Sequence, residues 1–158
     1  MIKLCRVDHR LLHGQVAFSW TNELSADSIL IANDAVVHDE VFKTTMKLAK
    51  PSGVKLVIKN LEDSIKAINS GVTDKYRLLV VVKTIHDANV LSAGCPAVHS
   101  LNLGGTIRRE GCRQISKAIF ISDRDEAELK ELQQRGVSVF IQQLPAESPI
   151  ALEHVLHQ

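Results

Sequence analysis

The sequence predicts an α/β fold, a single open, mainly parallel sheet of about seven strands with helices on both faces. Three observations predict it. Short apolar runs alternate with helix-like segments from end to end, which is the signature of βα units around a parallel sheet. One run, Leu78-Leu79-Val80-Val81-Val82, is apolar without interruption, as a strand covered on both faces requires. The 158 residues carry no low-complexity tract, internal repeat or dividing linker, so they are read as one domain spanning 1–158.

Seven runs qualify as strands: 2–7, 28–32, 54–59, 77–83, 98–103, 117–122 and 137–142. After the first, a helix opens near Gly14 or Gln15, with Val16, Trp20 and Leu24 recurring at helical spacing. After the second, Phe42, Thr45, Met46 and Ala49 recur in the same way until Pro51 ends the segment. Trp20 and Met46 are expected in the core. After the third, Asn60 and Asp63 form a start signal ahead of Ile65 and Ile68, with Gly71 as the stop. The run at 77–83 is read as central. After the sixth, Asp123 is read as the N-cap with Glu126 reaching back, Leu129 and Leu132 make the apolar stripe, and Gly136 suits a left-handed stop.

At this length about two thirds of the unfolded surface can be buried, so no covalent or metal staple is needed. Cys5, Cys95 and Cys112 are odd in number and widely spaced, which argues against a disulfide framework or a zinc knuckle and for a reducing compartment. Nineteen basic against eighteen acidic residues exclude the basic excess of a nucleic-acid binder. The opening residues do not read as a secretory signal, and no run reaches the roughly 18 apolar residues of a membrane span. The expected location is cytoplasmic, with any membrane association made through partner subunits.

The first strand run ends near Val7, so 8–13 should form the first βα loop, at the carboxyl ends of the strands where open sheets hold ligands. That loop carries His13, whose neutral imidazole is a nucleophile able to form a labile N–P bond. Arg6 and Arg10 offer fork-shaped donors to phosphate oxygens, and the N–H groups from Gly14 onward open a helix that favours anions. Gly14 lets the backbone approach closely, and Asp8 can hold the second ring nitrogen. Plainer readings compete. Arg6 and Asp8, two apart on a strand, also suit a surface ion pair worth under about 1 kcal/mol. His9 and His13, four apart, suggest metal ligands, but no third ligand lies nearby and Gly14 disfavours a helix there. Leu11, Leu12 and Val16 are either core or an apolar docking face.

The segment 6–16, RVDHRLLHGQV, resembles the opening motif of IIB subunits in the mannose, fructose and sorbose class of bacterial sugar phosphotransferase systems. That motif reads Arg-Ile-Asp-Asp/Glu-Arg-Leu-Ile-His-Gly-Gln-Val, and its histidine, first acid, arginines and trailing pair fall on His13, Asp8, Arg6, Arg10, Gly14 and Gln15. Further stretches are similar to the family: Ala32-Asn33-Asp34, Lys83-Thr84, Asn102-Leu103-Gly104-Gly105, and Glu110-Gly111 leading to Arg113-Gln114-Ile115. Each of the first three follows or ends a predicted strand, so Asn33, Asp34, Lys83, Thr84, Gly104 and Gly105 are expected around one crevice with His13. Ordinary turn chemistry explains them equally well. His9 departs from the family, which usually has a second acid at that place.

The resemblance implies a phosphocarrier: a phosphorylated IIA protein gives phosphate to Nδ1 of His13, which passes it to a sugar held by IIC and IID membrane subunits. It implies no metal and no nucleotide cofactor. Arg10, Arg6 and backbone N–H groups would meet the transition-state charge. The alternatives are a regulatory binding module with the same fold and a metal-dependent hydrolase using His9 and His13. A homodimer is compatible with the sequence, which does not name the sugar.

Overall fold

A computed structural model describes residues 1–156. Its strands are β1 (Ile2–Asp8), β2 (Ser28–Ala32), β3 (Lys55–Lys59), β4 (Leu78–Val82), β5 (Ser100–Gly105), β6 (Arg113–Ser116), β7 (Ile119–Ile121), β8 (Ser138–Ile141) and β9 (Ile150–Ala151). Seven of them form one sheet in the order β3-β2-β4-β1-β5-β8-β9, parallel except for β9. The α/β class and the mainly parallel seven-stranded sheet are as the sequence predicts.

The membership of the sheet differs from the sequence reading at one place. The sixth run folds as β7, which pairs antiparallel with β6 in a separate two-stranded sheet. The seventh strand is instead β9, two residues that follow Pro149 and close the edge of β8. Nothing in a three-residue apolar stretch such as Ile119–Ile121 says which strand it will pair with.

The helices are α1 (Gly14–Leu24), α2 (Glu40–Ala49), α3 (Leu61–Asn69), α4 (Ile85–Gly94), α5 (Asp123–Gln134) and the short α6 (Glu153–Leu156). They cover both faces. Leu79 and Val81 of β4 join one cluster with Trp20 of α1 and Met46 of α2. Leu78, Val80 and Val82 join the other with Ile68 of α3, Leu91 of α4, and Leu129 and Leu132 of α5. β4 is therefore buried at every position, because each of its alternating side chains meets a helical layer. Trp20 and Met46 lie in the core as expected; fully burying a side chain like Met46 contributes about 1.5–3 kcal/mol.

The helix starts follow their caps. Asp39, Asn60 and Thr84 accept from the backbone N–H three residues on, at α2, α3 and α4. At α5 the expected cap, Asp123, is displaced by one residue. Ser122 accepts from the Asp125 N–H, and the Asp125 carboxylate accepts from the Ser122 N–H, so the capping box joins Ser122 to Asp125 and not Asp123 to Glu126. The core cysteine Cys5 is a free thiol that burial, and secondarily Cys95, pushes up to about 12, which keeps it protonated and unreactive.

Strand order places the ligand crevice. From β1 the chain winds out to β2 and β3 on one side, returns to β4, and continues through β5 and β8 on the other side. The carboxyl end of β1 lies at this reversal.

Candidate functional site

β1 ends at Asp8 and the chain turns sharply, with the Leu11 N–H donating to the Asp8 carbonyl at 2.9 Å. Leu11 sits at a left-handed φ of +58°, a conformation that costs a residue with a β-carbon about 1 kcal/mol or more. Burial holds it there: Leu11 and Leu12 are 6% and 5% exposed, packed in the cluster with Trp20 and Ile31. Of the two readings of these leucines the structure selects core, and among the three apolar residues only Val16 keeps partial exposure. Anchored in this way, the loop delivers His13 in an extended conformation, φ −148° and ψ 136°, to the start of α1.

His13 Nε2 lies 2.9 Å from Asp8 Oδ2. An ionised carboxylate only accepts, so in the neutral imidazole Nε2 carries the proton and Nδ1 is left with its lone pair. Among the described residues nothing hydrogen-bonds Nδ1. The same Oδ2 accepts from Arg6 Nη2 at 3.1 Å, and Oδ1 accepts from the Arg10 N–H at 3.0 Å. Burial alone would raise the Asp8 pKa, but the His13, Arg6 and Arg10 contacts outweigh it and hold the carboxyl below the ordinary carboxylate value.

Arg6 is no surface partner, which corrects the plainer reading of the Arg6–Asp8 pair: the residues are 3% and 2% exposed. Burial draws the Arg6 guanidinium down and Asp8 opposes it; a guanidinium starts high enough to remain charged. Its Nη1 donates to Asn102 Oδ1 at 2.6 Å and to the Gln142 carbonyl at 3.2 Å. Trp20 covers it, with Cζ 5.4 Å from the ring centroid, within cation–π range. Gly104 makes room for it, because a β-carbon there would overlap the guanidinium. Arg6 is thus a buried strut beneath Asp8.

The start of α1 is open. No side chain caps it, its first turn holds no acid, and Gly14 (φ +33°) would meet nothing within 4 Å even with a β-carbon. Gly14 and Gln15 are exposed. Orphan N–H groups beside His13 make an anion-favouring end. The Arg10 side chain is exposed and, among the described residues, pairs with no carboxylate.

The remaining predicted residues divide into two sets. Asn33 Oδ1 accepts from the Val36 N–H at 2.9 Å and Asp34 Oδ1 from the Leu61 N–H at 2.9 Å, so both are engaged in shaping their loops. Thr84 caps α4. Lys83 and Thr84 line a small pocket of about 60 Å³ with His9 and Thr106, and His9 Nδ1 is buried there without a partner among the described residues. Gly105 adjoins His9, its main-chain oxygen accepting from the His9 N–H at 3.0 Å. Among the described residues no group of three His, Cys, Asp or Glu side chains could hold a metal ion.

Sequence reasoning missed Asn102 and Trp20 as members of the site. Asn102 was legible in principle: it is a polar residue inside the run Leu101-Asn102-Leu103, and a buried amide needs a partner. Trp20 had no such signal, since helical spacing marks only the core.

Comparison with known proteins adds the following. The family model described as PTS system sorbose subfamily IIB component matches residues 2–158. A probable phosphotransferase enzyme IIB component of Streptococcus pyogenes serotype M6 is 34% identical over 99% of this chain and 100% of its own length. The mannose-specific EIIAB component of Escherichia coli K12 is 28% identical over 96% of this chain and 47% of its own length. Among solved structures, the IIBSor domain of the sorbose permease from Klebsiella pneumoniae superposes with a TM-score of 0.93 at 27% identity, covering 99% of this chain and 96% of that one.

Proposed function

The chain belongs to the sorbose-subfamily IIB components of the sugar phosphotransferase systems, and from that premise we propose that it carries phosphate on Nδ1 of His13. The observation that carries the reading is the Asp8 contact to Nε2, which leaves Nδ1 as the free nucleophile beside an uncapped helix end. In the first step Nδ1 attacks the phosphorus of a phosphorylated donor. The new Nδ1–P bond forms as the donor's bond to phosphorus breaks, and the donor leaves with that electron pair. Asp8 keeps its hydrogen bond to Nε2–H and balances the positive charge that develops on the ring. Backbone N–H groups of α1 and the Arg10 guanidinium meet the charge on the equatorial oxygens. In the second step a sugar hydroxyl attacks the same phosphorus, the Nδ1–P bond breaks, and the hydroxyl proton goes to solvent or to the returning nitrogen.

The donor in this reading is a IIA protein, a pairing supported by a relative whose own name joins A and B components. The acceptor sugar is held by IIC and IID membrane subunits. Association with the membrane runs through those subunits; among the described residues no helix is long and apolar enough to cross one. The test is direct. Incubation with phosphoenolpyruvate, the general upstream carriers and the cognate IIA protein should add one acid-labile phosphate, about 80 Da, and His13→Ala should abolish it. A full mass shift in that variant would overturn the assignment.

A further inference from the structure

β3 forms one edge of the sheet. Lys55 N–H donates to the Asp27 carbonyl and the Lys59 carbonyl accepts from Asn33 N–H, so these residues direct their main-chain groups toward β2. In a parallel ladder the alternate residues, Leu56 and Ile58, then turn theirs outward. Over the sheet face inward of this edge lies an open groove of about 360 Å³, lined by Val57 of β3, Leu30 of β2, Leu78 of β4, Ala67 and Val72, with Val72 57% exposed. Its rim is basic. Lys55 and Lys75 stand 5.0 and 5.2 Å from the Tyr76 ring centroid, Lys59 completes the line, and among the described residues none of the three lysines has a carboxylate partner.

Charge decides what can add to this edge. In a two-fold antiparallel pairing centred on Val57, Lys55 of one copy lies opposite Lys59 of the other. Neighbouring registers also gather four ammonium groups on one face. Like charges directly opposite are destabilising, so the edge is guarded against its own copy. A strand with carboxylates opposite Lys55 and Lys59 and an apolar residue opposite Val57 meets the same edge with complementary charge and sets that apolar residue at the β3 side of the groove. We infer that β3 and its groove dock an extended segment of a partner protein in which acidic residues flank an apolar one on a single face.

Three strand spacings separate β3 from β1, about 14 Å, so a segment bound here leaves the His13 loop uncovered. The surface is independent of the phosphoryl-transfer reading.

The probe is the labelled peptide Gly-Glu-Thr-Val-Thr-Glu-Gly, titrated into the isotope-labelled full chain and followed by amide NMR. Binding should shift the Leu56 and Ile58 amides and weaken with salt. Lys55→Glu with Lys59→Glu should weaken it tenfold or more, while His13 phosphorylation stays unchanged. Should that pair fail to fold, Lys55→Gln with Lys59→Gln removes the same charge without reversal, and the same loss is expected. The inference is overturned if the β3 amides do not move at millimolar peptide, or if a peptide with lysines in place of the glutamates binds equally well. It is also overturned if those amides respond to protein concentration alone, which would make the occupant a second copy, or only to phosphatidylglycerol vesicles, which would make it a membrane.

Discussion

Gly104 and Gly105 stand side by side at the end of β5, but a side chain is tolerable at only one of them. A β-carbon on Gly104 overlaps the Arg6 guanidinium, whereas on Gly105 the nearest atom is His9 Nδ1 at an ordinary 3.5 Å. Gly104→Ala should therefore destabilise the fold by about 1–3 kcal/mol in denaturant titration, and Gly105→Ala by much less. Combined with Arg6→Ala, the Gly104→Ala penalty should shrink, because the two changes share one contact. Asp8 yields a second expectation. Its carboxyl is held below the ordinary value of 3.8, so the folded state binds fewer protons there than the unfolded chain. The stability it contributes is fully present above that ordinary value and is lost as pH falls through the depressed folded value. Thermal melts of Asp8→Asn between about pH 2.5 and 6 should show a shallower acid limb, from a starting point lowered by about 3 kcal/mol or more for breaking a buried pair. An unchanged acid limb would place the sensitivity elsewhere. The sequence indicated that Arg6 and Asp8 share a side of one strand, from their two-residue spacing. It could not show their burial, which depends on Trp20, Asn102 and Gly104 arriving from other elements.

At the scale of elements, the start of α5 separates two candidate caps. Ser122 makes the cap bond, whereas Asp123 is fully exposed and only meets Arg113 at 3.7 Å, a surface pair worth little. Ser122→Ala should cost about 1 kcal/mol and Asp123→Ala close to nothing, as chemical denaturation of both variants would show. Local sequence could not choose between them, since Ser and Asp cap equally well and an acid stands three residues after each, Asp125 after Ser122 and Glu126 after Asp123. The loop between β1 and α1 was hidden for a different reason. Leu11 has no local signature of a left-handed conformation; the core imposes it by burying the side chain. The hairpin β6–β7 was half legible, because Arg113–Ser116 carries only one strongly apolar residue and exposes its first two.

For the whole molecule, alternation of runs gave the class, and the uninterrupted run at Leu78–Val82 gave a strand covered twice. Strand order and the route by which β9 returns to β8 arise from packing that no single segment encodes. That doubly covered strand has a kinetic consequence. Side chains of β4 belong alternately to the two apolar clusters, one with α1 and α2, the other with α3, α4 and α5. Lifting one helical layer leaves β4 held by the other. Native-state deuterium labelling should accordingly find α1 amides exchanging through a limited opening, while β4 amides exchange only when both layers are lost together. With mild denaturant the β4 amides should follow the global unfolding free energy and the α1 amides should respond weakly. Matching rates in the two elements would mean that the protein breathes as one block. Separate rates would mean that the layer carrying His13 can loosen and reseat while the strand beneath it never leaves the fold.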